Sequence, residues 1–60
     1  MPDSYIDECV HAGHSVTVYT VNGYQIKGKI LHDLGDYIVV LSNSKKKLIY
    51  KHAISTIEPA

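Results

Sequence analysis

Three side chains that can bind nucleic acid stand side by side near the end of the chain, at Tyr50, Lys51 and His52. An aromatic ring can stack on a base, a lysine ammonium can hold a phosphate, and an imidazole can donate to or accept from a base edge. The triplet lies between the apolar segments 48–49 and 54–57, which are typical of β-strands. Since so few residues separate the two segments, the sequence predicts a tight corner that displays the triplet.

The same triplet also has a structural interpretation. His52 can hydrogen-bond to backbone groups across the corner, so that the three residues stabilise a strand junction or a subunit contact. Catalysis is disfavoured, because His52 and the nearby Ser55 have no acid placed to orient the imidazole. The triplet therefore predicts ligand contact, a structural role or both, and we assign no catalytic residue.

The sequence does not indicate a metal or a cofactor. Cys9 and His11 point in different directions on a helix, and the histidines lack the spacing of a zinc site. A single cysteine excludes an internal disulfide, and we expect Cys9 to be a small core residue in a reducing compartment.

The length of the chain favours oligomerisation. Sixty residues predict one domain over 1–60, and a domain this short buries only about 60% of its unfolded surface. Small domains gain stability from disulfides, metals or association, and only association remains here. Six lysines balance six acids and arginine is absent. Any nucleic-acid binding must therefore depend on where the lysines lie and on how many copies an assembly brings together.

No segment has the roughly 18 consecutive apolar residues of a membrane span, and the first residues lack the pattern of a signal peptide. We expect a cytoplasmic protein with no membrane partner.

The elements that must position the corner are a short helix and five strands. The helix is predicted over 3–12 because apolar residues recur at helical spacing and Gly13 follows them. Asp3 is the expected N-cap, with Ser4 as the alternative, and Tyr5 is expected to pack the helix on the sheet. The face comprises Tyr5, Ile6, Cys9 and Val10.

The strands are predicted from β-branched and aromatic residues between turn residues. Asn22-Gly23 is a hairpin signal, and turns are expected at 32–36 and 42–45, with the lysines of 45–47 at a solvated hairpin tip. The third strand is apolar on both faces, so we expect it at the centre of the sheet. The five strands are 16–21, 24–31, 37–41, 46–50 and 53–57.

These elements predict a mainly β fold in which an N-terminal α-helix precedes a strongly bent antiparallel sheet over about 15–58. Gly28, in mid-strand, indicates a sharp bend or a close approach of two backbones. A sheet bent in this way is a small open barrel with two unpaired edges. Pairing of those edges between identical subunits would close a ring.

Two segments resemble the motifs of the Hfq family of bacterial Sm-like proteins. The segment 50–57, YKHAISTI, matches the second Sm motif of that family almost letter for letter. A second match begins at 16–19, passes through 21–23 and ends at 26–28. The resemblance covers about residues 3–58, and the eight-residue match is the more specific part of it.

The resemblance implies a homohexameric RNA chaperone that pairs small regulatory RNAs with messages and binds single-stranded RNA on two faces. Its proximal face would take U-rich RNA at the pore, and its distal face would take A-rich RNA over the first two strands. The implied proximal residues are Tyr37, Tyr50, Lys51 and His52. The implied distal residues are Tyr19, Thr20, Gly23, Tyr24, Gln25, Ile26 and Lys27.

The chain departs from the family pattern around the proximal face. Pro2 stands where the family usually has glutamine, Asp36 stands where a glutamine often precedes the stacking aromatic, and the turn 32–36 is one residue longer. The arginine-rich rim is replaced by VHAG at 10–13, and the long polar C-terminal tail is missing. These differences favour the distal tyrosines as the main RNA contacts.

Tyr37 can also pack in the core, because its strand is apolar on both faces. For the whole chain, two alternatives to RNA binding remain. One is a structural or interaction ring that has lost RNA binding. The other is a nuclease or other small enzyme, which the missing acid–base set disfavours.

Overall fold

The computed structural model describes residues 3–60, apart from the side chain of Asp3. The expectation for Pro2 and the capping role of Asp3 therefore lie outside the described part. Within that part, no helix has both the length and the apolar character that crossing a membrane requires.

One α-helix, five β-strands and one 3₁₀ turn make up the described chain, and the predicted helix and strands are confirmed. The helix α1 spans Asp3–Ala12, as predicted. The strands are β1 Ser15–Thr20, β2 Gln25–Asp33, β3 Tyr37–Ser42, β4 Lys45–Tyr50 and β5 Ile54–Pro59, and the 3₁₀ turn Lys51–Ala53 joins β4 to β5.

The strands form one antiparallel sheet in the order β4-β3-β2-β1-β5. The central strand is β2, so the prediction that the third strand is central was wrong. In β3 the buried Ile38 and Val40 alternate with the half-buried Val39 and Leu41. The outer face of β3 is therefore partly covered, which is enough to explain why its residues are apolar on both faces. A continuous apolar segment does not require the strand to be central in the sheet.

Two predicted turns are shorter than expected. Strand β2 continues through a bulge after Ile30 to Asp33, and the Leu34 amide then donates to the Tyr37 carbonyl at 2.9 Å. The β3–β4 turn contains only Asn43 and Ser44, at φ values of 52° and 64°. Positive φ at both central residues is the geometry of a tight hairpin turn. The lysines at 45–47 consequently belong to β4, although they are exposed as predicted.

A single hydrophobic core receives side chains from α1 and from all five strands. The helix contributes Ile6 and Cys9, which are 0% and 2% exposed, and Tyr5 and Val10 pack beside them. This confirms the predicted apolar face of α1. The strand residues of the core are Val16, Val18, Ile30, Ile38, Val40, Ile49 and Ile54.

The sheet must bend because its two edge strands are consecutive in the chain. In a flat five-stranded sheet the outer strands lie about 19 Å apart. The link from Tyr50 to Ile54 can reach at most about 14 Å. The bend brings β2 against β3 at Gly28, where an added Cβ would overlap the Leu41 carbonyl oxygen and lie 2.9 Å from its carbonyl carbon. The predicted close approach at Gly28 is confirmed.

Replacing Gly28 by alanine should therefore destabilise the fold by about 3 kcal/mol, since backbone atoms of β3 would have to move. The measurement is the free energy of unfolding in denaturant.

Gly13→Ala is the control, because Gly13 has φ +68° but nothing within 4 Å of an added Cβ. Backbone strain alone should cost about 1–2 kcal/mol there. A Gly28→Ala variant no less stable than Gly13→Ala would contradict the account of the bend.

Candidate nucleic-acid interface

The corner between β4 and β5 is tied to two other loops. The Lys51 amide donates to the Asp36 carbonyl at 2.9 Å, which joins the corner to the β2–β3 turn. On its other side, the Ala53 carbonyl accepts from the Val21 amide at 2.9 Å, which joins it to the β1–β2 turn. The corner is thus the point where the two predicted RNA surfaces are connected.

The four predicted proximal residues come together at this corner. Tyr37 and Tyr50 are partners across β3 and β4, and their rings meet edge to face at 5.5 Å between centroids. The Tyr50 ring stacks on the His52 ring at 5.6 Å with an interplanar angle of 26°. Tyr37 is half-buried, so its exposure is intermediate between that of a free stacking residue and that of a core residue, the two predicted roles. Tyr50 and His52 are exposed. A shallow pocket at this cluster is lined by Gly35, Asp36, Tyr50, Lys51 and His52.

The Lys51 ammonium lies 2.9 Å from the Asp33 carboxylate. The same carboxylate oxygen, Oδ1, accepts from the Gly35 amide at 3.0 Å. The lysine and aspartate side chains are only 17% and 19% exposed. The backbone therefore fixes the carboxylate, and the carboxylate in turn holds the cation at the edge of the pocket.

Sequence reasoning did not assign this role to Asp33, which it placed within a turn. A usable signal was present, since aspartate two residues before glycine is typical of a side chain that accepts from the backbone of a turn. The partner could not be read from the sequence, because 17 positions separate the two residues.

The ion pair lowers the pKa of Asp33. The hydrogen bond from Lys51 is the main cause, and the backbone hydrogen bond from Gly35 adds to it. Since the folded pKa lies below the ordinary value of 3.8, the ionised carboxylate stabilises the fold at pH values above 3.8. That contribution is lost as the pH falls through the folded pKa.

Asp33→Asn should therefore reduce the loss of stability that acid causes. Between about pH 5 and about pH 2.5, the wild type should lose more of its unfolding free energy than the variant, because only the wild type must protonate this carboxylate. Denaturant unfolding at both pH values measures the difference.

Glu58→Gln controls for the loss of any one carboxylate, because Glu58 is an exposed residue of β5 outside this ion pair. Equal acid sensitivity in the wild type and Asp33→Asn would contradict the assignment.

The β1–β2 turn fixes three of the predicted distal residues. The Tyr24 amide donates to the Thr20 hydroxyl at 3.0 Å, and the Gly23 amide donates to the Thr20 carbonyl at 3.1 Å. Gly23 has φ +95°, a conformation that glycine adopts at little cost. The turn is therefore well ordered by its own hydrogen bonds, and it presents the Tyr24 side chain, 66% exposed, to solvent.

The other distal residues lie along the paired strands. Tyr19 is half-buried and stands between Gln25 on β2 and Thr56 on β5. Ile26 packs against the core, so only part of it is available to a ligand. A second shallow pocket lies between β2 and the β3–β4 turn. The sequence did not predict that this turn takes part in the distal surface. The pocket is lined by Gln25, Ile26, Lys27, Ser42, Asn43 and Lys47.

Among the side chains that the structure describes, those of residues 4–60, no group of three or more histidines, cysteines, aspartates or glutamates is placed to hold a metal ion. Both surfaces instead combine aromatic rings, lysines and hydrogen-bonding groups. This arrangement can stack on planar bases and contact phosphates, which is how proteins hold single-stranded nucleic acids.

Known proteins resemble this chain over nearly its whole length. A model of the Hfq protein family matches residues 1–60. The RNA-binding protein Hfq of Alkaliphilus metalliredigens (strain QYMF) is 42% identical over 60 residues, which is 98% of this chain and 74% of that protein. The RNA-binding protein Hfq of Geobacillus sp. (strain WCH70) is 43% identical over 58 residues, with coverages of 95% and 77%.

A solved structure has the same fold. The crystal structure of the pleiotropic translational regulator Hfq superposes with a TM-score of 0.89 at 38% identity and covers 93% of each chain. The order of one helix and five bent antiparallel strands, the Sm motifs at the corner and the family match over 1–60 agree with one another. The chain belongs to the Hfq family of Sm-like proteins.

Proposed function

We propose that this chain forms a homohexameric ring that binds single-stranded RNA on two faces and acts as an RNA chaperone. In that role it would pair small regulatory RNAs with messages in the cytoplasm. The observation that carries the proposal is the exposed Tyr24 ring on a turn held by Thr20. Relatives named RNA-binding protein Hfq, and a structural neighbour described as a translational regulator, support it.

The open edges of the sheet support the ring. Strands β4 and β5 each have one side that no other strand within residues 3–60 of the same protomer covers. Leu48, on β4, leaves 54% of its surface exposed. An edge strand of this kind readily pairs with another chain, and repeated pairing of β4 with β5 of the next copy closes a ring.

The distal face is proposed to bind A-rich RNA. Tyr19 and Tyr24 would stack on purines, while Gln25, Ile26 and Lys27 line the adjoining pocket. Thr20 and Gly23 act by holding the turn. Base stacking on an aromatic side chain is worth about 1–3 kcal/mol per base.

The proximal face is proposed to bind U-rich RNA at the pore. Tyr37 would stack on the base, Lys51 and His52 would contact it by hydrogen bonds, and Tyr50 supports both rings through its contacts with Tyr37 and His52. Six copies would place this set around the axis of the ring.

An edge substitution tests the ring. Leu48→Lys should lower the mass of the assembly in multi-angle light scattering at micromolar concentration, because it adds a charge to the β4 edge that is buried on pairing.

Leu34→Lys is the matched control, since Leu34 is 53% exposed but lies in the β2–β3 turn, outside the edge strands. A hexamer that survives Leu48→Lys unchanged, or a wild-type protein that is monomeric, would contradict edge pairing.

Removal of the Tyr24 aromatic side chain tests the distal face. Tyr24→Ala should weaken the binding of labelled oligo-A by about 5- to 150-fold, which corresponds to about 1–3 kcal/mol, and should leave oligo-U binding unchanged. Fluorescence anisotropy at fixed, moderate salt measures both affinities.

Val21→Ala is the control, because Val21 is 68% exposed in the same turn but has no ring. Equal losses in the two variants would argue that the turn, and not stacking by Tyr24, supports binding.

A second candidate function is an interaction ring that keeps the fold without binding RNA. The zero net charge and the ion pair that holds Lys51 favour it. The same titration separates the two functions, since an assembled wild-type ring that binds neither oligo-A nor oligo-U would support the interaction ring.

A further inference from the structure

We propose that Asp33 sets the ligand preference of the proximal pocket by competing with RNA for the Lys51 ammonium. The inference rests on the proposed function, since it concerns the pocket assigned to U-rich RNA. Asp33 is therefore a positioning residue that acts through Lys51 and makes no RNA contact of its own.

The first argument is the way Asp33 is held. Its Oδ1 accepts from the Gly35 amide at 3.0 Å and from the Lys51 ammonium at 2.9 Å. Gly35 has φ +95°, and the neighbouring Leu34 amide donates to the Tyr37 carbonyl. The carboxylate is thus fixed by the turn before any ligand arrives. An acceptor that is already in position loses little conformational freedom in binding the ammonium, so it competes well with a flexible RNA strand.

The second argument is the charge around the pocket. Asp36 lines it, and its carbonyl anchors the Lys51 amide. Asp33 contacts the same lysine from the β2 side. The two aspartates and the lysine bring two formal negative charges and one positive charge to this part of the corner. A phosphate that approaches Lys51 meets a cation already paired with Asp33 and a second acidic residue in the pocket lining, so a net repulsion opposes its binding.

The expected ligand follows from this balance. The neutral edge of a base can accept a hydrogen bond from the Lys51 ammonium while the ion pair remains, since an ammonium has three donors. The exposed His52 and the half-buried Tyr37 offer a second hydrogen bond and a stacking face. The pocket should therefore bind U-rich RNA through its bases, with weak dependence on salt, because few phosphates are neutralised.

Asp33→Asn tests the inference. Asparagine keeps a side-chain oxygen for the Gly35 amide but removes the negative charge that pairs with Lys51. Oligo-U should bind about two- to five-fold more tightly for each subunit contacted. The slope of log K against log salt should steepen by about 0.7 for each phosphate that the ammonium now meets. Oligo-A affinity should stay unchanged.

Two controls separate competition from general electrostatics. Glu58→Gln removes the same charge from β5 and should change oligo-U binding less than Asp33→Asn does. In a Lys51→Met background, Asp33→Asn should give no gain, because the cation it releases is absent. Light scattering and circular dichroism check that each variant keeps the wild-type assembly. Should Asp33→Asn misfold, Asp33→Ser provides a second neutral variant whose hydroxyl can still accept from the turn.

Two results would overturn the inference and leave the proposed function intact. They are unchanged or weaker oligo-U binding in Asp33→Asn and a gain that persists without Lys51. Binding of oligo-A alone by both the wild type and Asp33→Asn would overturn the inference together with the proximal half of the proposed function, and would leave the distal half standing. If the wild type and Asp33→Asn bind neither oligonucleotide although both are assembled, the proposed function fails, and the inference fails with it.

Discussion

The close approach of β2 and β3 at Gly28 is the constraint on which the rest of the structure depends. A Cβ at this position would overlap the Leu41 carbonyl oxygen, so only glycine lets the two backbones pack in this way. The resulting bend brings the opposite edges of the sheet near enough for the turn Lys51–Ala53 to join them. The bend also places the Tyr50–His52 corner between the two turns that it contacts. The fold and the candidate site thus have one geometric origin.

The residue types of the Tyr50–His52 motif do not by themselves determine how the motif binds RNA. Tyr50, Lys51 and His52 are the residues that identify the family, but the cation among them is held by Asp33. In a chain with zero net charge, a lysine contributes to phosphate binding only to the extent that no neighbouring carboxylate competes for it. This local competition, together with the exposed Tyr24, makes the distal face the stronger candidate for the main RNA surface.

Patterns that are local in sequence predicted the fold well. The helical spacing of Ile6 and Cys9, and the turn signal at Asn22-Gly23, depend on neighbours within a few positions. Gly28 could be recognised as special because glycine is unfavourable within a strand unless a backbone approaches it. The central position of β2 was missed, because apolar residues on both faces of a strand report burial and not its place in the sheet order. The Asn43–Ser44 turn was misjudged because it lacks the glycine that usually marks positive φ.

The site was predicted less completely than the fold. The resemblance to the family implied that the four proximal residues lie on one face, and the structure brings them together. The Asp33–Lys51 pair and the contribution of Lys47 to the distal pocket join residues from different strands, so no periodicity or spacing indicates them. Electrostatic contacts of this kind depend on tertiary distance, and a single sequence contains no direct signal for it.

Hydrogen exchange resolved by residue tests the central claim, that the open edges of the sheet at β4 and β5 are completed by other copies of the chain. The measurement concerns the amides of β4 and β5 that make no hydrogen bond within the protomer. If the strands pair between subunits, these amides should be protected nearly as well as those of the central β2, and dilution that dissociates the assembly should remove the protection. Fast exchange of these amides at concentrations where β2 is fully protected would show that the edges remain open, and would contradict the account.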